Sequence, residues 1–327
     1  MYAIRMSATR DAECYKGGYV LIYFIVNSTA RSGEGLNIWK LVRAHLKRNN
    51  VDFKAFETKY EGHATILAEK ISKLPLDEIT LVTIGGDGTI NEVLNGITNF
   101  EKIRFGVIPT GSGNDFARGL NISKDPLLQA DIICNSIITE NIDIGKVWWE
   151  GCETPRYFAI SAGVGLDAIV CKKALTSKLK KFLNKLKLGK LTYIILTIQT
   201  LFSMETAEVK ATFDDNEEKE FRKLIFAAAM NFRAEGGGVP MAPRADARDG
   251  LLSMCVVHGI PKWVTFFCLP FLALAKHEWI PGFDIINCKK CEIKLDTPVV
   301  LHEDGEYCAE VDYVVMECMP EKLRLIV

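Results

Sequence analysis

Residues 20–26, Val-Leu-Ile-Tyr-Phe-Ile-Val, are apolar without interruption and stop at Asn27. A run of that length with no polar alternation predicts a strand buried on both faces. Residues 52–57, 79–84 and 104–108 predict three further short strands. Between them, Leu36, Trp39, Val42 and Leu46 recur at spacings of 3, 3 and 4, and Ile66, Leu67, Lys70 and Ile71 continue the helical period. Strand and helix alternating at this pitch predict a parallel sheet wound with helices.

After about residue 145 the texture changes. Residues 156–162, 207–213, 221–231, 251–257, 285–295 and 309–316 read as longer β stretches, with a hairpin turn at 214–217. A second, mainly antiparallel β domain is expected, with the boundary near 147/148, so that the domains run over 19–147 and 148–320. Residues 1–18 carry mixed charge and no period, and read as an extension or edge element. Residues 321–327 are expected to return to the first domain as a strand. The longest apolar run, residues 263–275, is 13 residues with Pro270 inside it, short of the ~20 that a spanning helix needs.

Composition narrows the class. The chain has 327 residues, 40 Lys+Arg against 41 Asp+Glu, a net charge of -1 and 48% hydrophobic residues. That balance excludes a globally basic nucleic-acid binder and a disordered chain. Ten cysteines are too dilute for a small disulfide scaffold, so a reduced cytosolic protein is expected. The CxxC at Cys288 and Cys291 sits in one expected strand, where residues three apart face opposite ways, and lacks the second pair that a zinc site needs.

The chemistry concentrates at residues 84–97, Ile-Gly-Gly-Asp-Gly-Thr-Ile-Asn-Glu-Val-Leu-Asn-Gly-Ile, where a buried strand ends and a helix begins. Ile90, Val93, Leu94 and Ile97 form the stripe that docks this helix, and Thr89 with Glu92 has the spacing of a capping box. Gly85, Gly86 and Gly88 would permit positive φ and let backbone N–H groups approach an anion at the helix N-terminus. Asp87 inside an anion cradle is reasonable only if a cation such as Mg2+ lies between the like charges, which favours a metal-bridged nucleotide phosphate. A second glycine turn with hydroxyls and a carboxylate, residues 109–118, follows the next strand. No GxxxxGK[ST] occurs, which excludes a Walker-type loop.

GGDGTINEVLNG at 85–96 and PTGSGNDFARGL at 109–120 resemble the catalytic domain of bacterial diacylglycerol kinases and their relatives, the sphingosine and ceramide kinases. Residues 27–33 resemble that family's first nucleotide loop, although Ser28 stands where proline is usual. Thr58 with 62–64, Asp143-Ile144-Gly145, Asn231, Gly236-Gly237-Gly238, Pro243, Asp249-Gly250-Leu251 and His302-Glu303-Asp304-Gly305-Glu306 match further blocks in order. The resemblance implies an α/β fold with an N-terminal doubly wound parallel-sheet nucleotide-binding domain and a C-terminal, mainly antiparallel β-sandwich domain for the lipid. ATP would be held by Asn27, Arg31, Ser32, Gly33, Thr58, the loop Gly85, Gly86, Asp87, Gly88, Thr89 and Asn91, and Ser112 with Asn114. Asp87, Asp115 and Asp143 would form the acidic network around the catalytic Mg2+. Asp246, Asp249 and the carbonyl of Leu251 would form a structural Mg2+ site, with Asp246 replacing a serine found in some members.

On the same resemblance Asp304 and Glu306 are the candidates for general base, since taking a proton from an alcohol calls for a positioned carboxylate worth ~10²–10⁴-fold. Both orders of preference stand, with Asp304 slightly ahead. His63 reads as a helix N-terminal or packing residue. Between residues 172 and 190 there are eight lysines and no acid, with Leu175, Leu179, Phe182, Leu183 and Leu186 on one helical side. That is a core helix with a solvated basic face or a helix resting on anionic lipid. The leading expectation is an ATP- and Mg2+-dependent lipid kinase acting on diacylglycerol or a similar lipid, peripheral to the inner face of the membrane, with no transmembrane segment and no nucleic-acid partner. A homo-oligomer is compatible with it. A kinase of a soluble acceptor such as NAD, and a non-catalytic nucleotide or lipid sensor, are the competing readings.

Overall fold

The structure, a computed structural model, describes residues 21–111, 113–176, 189–214 and 217–327. Residues 1–18, Ser112, the centre of the lysine-rich stretch and part of the 214–217 turn lie outside them. The described chain forms two compact units. One holds residues up to 111, 121–141 and 323–327, and the other holds 113–120 and 142–322.

The first unit alternates β1 (Ile22–Val26), α1 (Ala30–Arg48), β2 (Phe53–Glu57), α2 (His63–Ser72), β3 (Ile79–Gly85), α3 (Asp87–Leu94) and β4 (Ile103–Pro109). After α4 (Asp115–Gly119), which belongs to the other unit, α5 (Pro126–Asn135) returns to it. The strands are all parallel in the order β2-β1-β3-β4, and Arg324 and Leu325 add a parallel pairing beyond β4. Alternation explains the two covered faces. Ile22, Phe24 and Val26 pack with Val82, Ile84 and Ile108 against Trp39, Val42 and Leu46 of α1 and Ala130 and Ile133 of α5. The intervening positions turn toward the side of α2 and α3, whose Leu67, Ile71, Ile90 and Val93 are buried. Ile66, expected on the inner stripe, is exposed, and Ala64 and Ala68 are buried instead. Because β1 is flanked by β2 and β3, the connections leave it in opposite directions, which opens a crevice at its carboxyl end.

The second unit contains β5 (Thr139–Trp149), β6 (Arg156–Phe158), β7 (Ser161–Gly165), α6 (Leu166–Thr176), α7 (Gly189–Ser203), β8 (Ala207–Phe213), β9 (Glu217–Leu224), β10 (Phe226–Met230), β11 (Leu252–Val257), α8 (Lys262–Ala273), β12 (Phe283–Cys288), β13 (Lys290–Glu303) and β14 (Glu306–Ile326). Antiparallel pairing runs β12-β11-β10-β7-β13; β14 pairs with β13 along both of its halves, and the first half of β13 also pairs with β8. The period of two sorts the side chains. Ala227, Ala229, Leu252, Met254 and Val256 enter the core between strands, while Phe226, Ala228, Met230, Cys255 and Val257 face α6, α7 and α8. Mixed α/β architecture with a parallel first part and an antiparallel, sandwich-like second part is therefore the fold.

Two local expectations fail. The stretch 221–231 is two strands broken at Ile225, whose N–H reaches Val257 O in 2.7 Å. The stretch 285–295 breaks at Lys289, so Cys288 closes β12 and Cys291 is the second residue of β13, and both thiols enter the same apolar core. Burial pushes Cys288 up to about 12 and Cys291 well above its ordinary value, which suits packing and not thiolate ligation.

Candidate functional site

In the first unit the candidate nucleotide residues collect at the carboxyl ends of neighbouring strands. Asn27 leaves β1 with its N–H on Ile84 O (2.9 Å), and Thr58 leaves β2 with its N–H on Val26 O (2.9 Å). Asn27 Oδ1 accepts from the backbone and hydroxyl of Thr29, and its Nδ2 donates to Thr89 Oγ1 at 3.0 Å, tying the β1 loop to α3. Arg31 and Ser32 fall in the first turn of α1, but their side chains lie outside the described residues. Gly33 takes φ +99° there, and a Cβ on Gly35 would stand 2.3 Å from Asn27 O, so Gly35 is a requirement the sequence reading missed.

The glycines of the 85–88 turn work differently from the expectation. None of Gly85, Gly86 and Gly88 has a positive φ. Close approach is what they provide. A Cβ on Gly85 would press within 2.6 Å of Thr89, and one on Gly86 would lie 3.1 Å from Gly111 Cα. The two glycine turns thus meet backbone to backbone, joined by Thr110 N–H on Gly85 O at 2.8 Å. The Thr110 hydroxyl is buried without a hydrogen-bond partner. Asp87 is the first residue of α3 and Gly86 its N-cap, so a helix N-terminus and a carboxylate share one turn. These residues fit a phosphate and its cation. The capping box does not form: Thr89 bonds Asn27, and Glu92 accepts from Ala64 N–H at 3.0 Å at the start of α2. Asn91 is buried on α3, where its carbonyl and side chain meet the amide of Asn95. His63 opens α2, stacks on Tyr60 and accepts from Lys59 N–H.

The second unit holds the remaining carboxylates. Asn114 adopts the left-handed conformation (φ +52°) before α4, and its Oδ1 is buried without a partner. Asp115 pairs with Arg118 and accepts from Gly237 N–H at 2.8 Å, which brings the 236–238 glycines onto α4. Asp143 is buried and accepts from Gly250 N–H and Glu321 N–H, both at 2.7 Å, so it secures the 246–251 loop. Asp249 accepts from Leu251 N–H at 2.9 Å, and its carboxyl is raised by burial and by the neighbouring Asp246 and Asp143 charges. Asp246 lies 3.7 Å from the Arg248 guanidinium, and Asp143, Asp246 and Asp249 are not among the described residues whose ligating atoms converge within 4.8 Å.

The turn after β13 separates the two candidate bases. Asp304 sits at φ +46°, and its carboxylate accepts three backbone N–H groups: Ala159 at 2.9 Å, Ile160 at 2.7 Å and Ser161 at 3.1 Å. Its own N–H reaches Ser161 O at 2.8 Å. Glu306 begins β14 on the far side of Gly305 and is half-buried.

Beneath this turn lies a cluster that the sequence did not disclose. His302 Nε2 meets Asp167 Oδ2 at 3.1 Å, and Asp167, Glu235 and His302 offer ligating atoms all within 4.8 Å of one another. Burial works against charge on His302, but Asp167 and Glu235 outweigh it and lift the ring to about 9. Burial likewise pushes Glu235, bonded by the Ser161 hydroxyl, up to about 7. Next to it Glu303, fully buried, is raised to about 7 by burial despite its ion pair with Arg156. Residues 167, 235 and 302 share no local pattern; β7, paired on one side with β10 and on the other with β13, brings them together.

Comparison with known proteins places these features. Residues 21–147 match the diacylglycerol kinase catalytic domain, and residues 160–327 match the YegS C-terminal NAD kinase beta sandwich-like domain. The chain belongs to the diacylglycerol kinase family and is a lipid kinase of that family. It is 31% identical over 305 residues to the Bacillus subtilis protein named "Putative lipid kinase YtlR", covering 93% of this chain and 98% of that one. A Staphylococcus epidermidis diacylglycerol kinase is 29% identical over 263 residues, 80% of this chain and 78% of the relative. A crystal structure of a putative diacylglycerol kinase from Bacillus anthracis shares the fold with a TM-score of 0.73 at 24% identity, over 95% of this chain and 98% of that one.

Proposed function

We propose that the protein transfers the γ-phosphoryl group of ATP to a hydroxyl of diacylglycerol or a similar lipid, giving a phosphatidic-acid-type product, as a peripheral protein of the inner membrane face. The observation that carries the nucleotide part is the meeting of two bare glycine turns, at Gly86 and Gly111, beside Asp87 and the switch between β1 and β3. Asn27, Thr58 and the 85–89 turn hold the nucleotide, with Asp87 toward Mg2+. Bound Mg2+ would neutralise phosphate charge as the γ-phosphoryl departs. Asp246, Asp249 and the Leu251 carbonyl hold a second, structural Mg2+.

Glu306 takes the proton from the acceptor hydroxyl in this reading. The support is the commitment of Asp304: three N–H donors stabilise its carboxylate and take up most of its acceptor sites. Asp304 instead fixes the turn on which Glu306 rides. The test is phosphoryl transfer from labelled ATP, with Mg2+, to detergent-dispersed diacylglycerol, ceramide and monoacylglycerol, and to NAD. Label in a lipid is expected. Label in NAD alone would replace the acceptor, and Mg·ATP binding without turnover on any of them would make the protein a sensor.

A further inference from the structure

We infer that one face of α7 and α8 is a docking surface for an anionic lipid bilayer. Trp263, Phe267 and Phe271 recur every four residues on α8, hence on one side of it, at 62, 64 and 50% exposure. The opposite side of the same helix, Thr265, Cys268 and Leu272, is buried against the second unit's core. Leu274 and Trp279, just beyond the helix, are 66 and 86% exposed. Phe202 of α7 extends the face, half-exposed and 5.9 Å from the Phe266 ring. An apolar area of this extent, rich in aromatics, is kept in water only where it has a partner to meet.

The partner is argued from charge and length. Neither α7 nor α8 contains an acid; exposed Lys276 follows α8, while Lys262 and Lys173 at the helix ends are held by Met204 O and by the Thr200 and Ser203 hydroxyls. The chain that leads into α7 carries eight lysines and no acid over residues 172–190. Aromatic rings flanked by lysines are the composition that settles at an anionic headgroup boundary. The 12 residues of α8 span about 18 Å, too short to cross a bilayer, and no described helix is long and apolar enough to do so. The helix therefore lies along the surface, rings down. This deepens the lipid-kinase reading, because a face that grips the bilayer holds the enzyme where its acceptor resides.

The experiment uses vesicles of phosphatidylglycerol and phosphatidylcholine, with vesicle binding measured in the absence of ATP. Wild type should co-sediment with anionic vesicles and release partly with salt, and lipids brominated along the acyl chain should quench Trp emission. The Trp263→Phe and Trp279→Phe variants should each lose part of that quenching. Trp263→Ser with Phe267→Ser and Phe271→Ser should weaken vesicle binding at least tenfold, with an unchanged circular dichroism spectrum. The same triple variant should keep its turnover on a short-chain diacylglycerol dissolved as monomer. Undiminished vesicle binding by the triple variant, or no Trp quenching in wild type, overturns the inference. So does a concentration-dependent dimer that the triple variant abolishes with no vesicle binding in wild type, which would assign the face to a second copy of the chain. Failure to phosphorylate any lipid would defeat the lipid acceptor, yet leave the vesicle measurements to decide the surface.

Discussion

Replacing each carboxylate of the 304–306 turn by its amide separates a structural from a chemical role. In Asp304→Asn, one oxygen can still accept from Ile160 and Ser161, but the new NH2 faces the Ala159 N–H at the 2.9 Å position of the lost oxygen. A donor then confronts a donor, and the remaining bonds lose their charge assistance. A buried donor left unsatisfied costs about 1–3 kcal/mol, and weakening two charge-assisted bonds adds about 1 kcal/mol. For a unit of this size each kcal/mol moves the melting point by roughly 2–4 °C, so Asp304→Asn should melt roughly 5–15 °C lower. Glu306→Gln should lower kcat by ~10²–10⁴ while leaving ATP binding intact. Thermal unfolding followed by circular dichroism, beside the labelled-ATP assay on a lipid acceptor, reads both quantities. An Asp304→Asn protein of normal stability with kcat down by orders of magnitude, next to an active Glu306→Gln, would reverse the two roles.

Two further outcomes follow from geometry. Arg156→Met strands the fully buried Glu303, so it should cost about 3–5 kcal/mol at pH 8. Glu303 is raised above its unfolded value of 4.5, so the folded state holds the proton more tightly, and stability is lost as pH rises through about 7; the variant should therefore be far milder at pH 5, by denaturant titration. Gly86→Ala puts a Cβ 3.1 Å from Gly111 Cα, with backbone on both sides unable to yield, and should weaken nucleotide affinity at least tenfold by calorimetry with a smaller effect on the melting point.

The regular elements were readable because their signals are local. The unbroken apolar run before Asn27 and the 3-3-4 spacing of Leu36, Trp39, Val42 and Leu46 name β1 and α1 directly. The GGDGT turn was readable as the junction of β3 and α3, but its glycines were credited with unusual dihedrals when what they supply is the absence of a Cβ facing Gly111 and Thr89. That distinction depends on a neighbour 25 positions away, which no local pattern contains. Residues 113–120 look from the sequence like a plain continuation of the first domain. Their anchor is Phe116 against Phe232 and Asp115 on Gly237, both far along the chain. The His302, Asp167 and Glu235 cluster was hidden for the same reason. Asp304 was ranked as a base because a DGE turn advertises two carboxylates; that one of them is consumed by the Ala159–Ser161 backbone is a property of β7's position, not of the turn.

The last residues of β14 have a consequence for biosynthesis. Leu325 pairs with Phe105, so the outer neighbour of β4 comes from more than 200 residues further along the chain. At ribosomal speeds of about 5–20 residues per second, β4 waits roughly 10–40 s with an open parallel edge of unpaired N–H and C=O groups. During that interval it is a template for any passing strand. The nascent chain should accordingly need protection at that edge until the second unit has been made, and truncation before Leu323 should send the protein to aggregates even though every residue of the first four strands is intact.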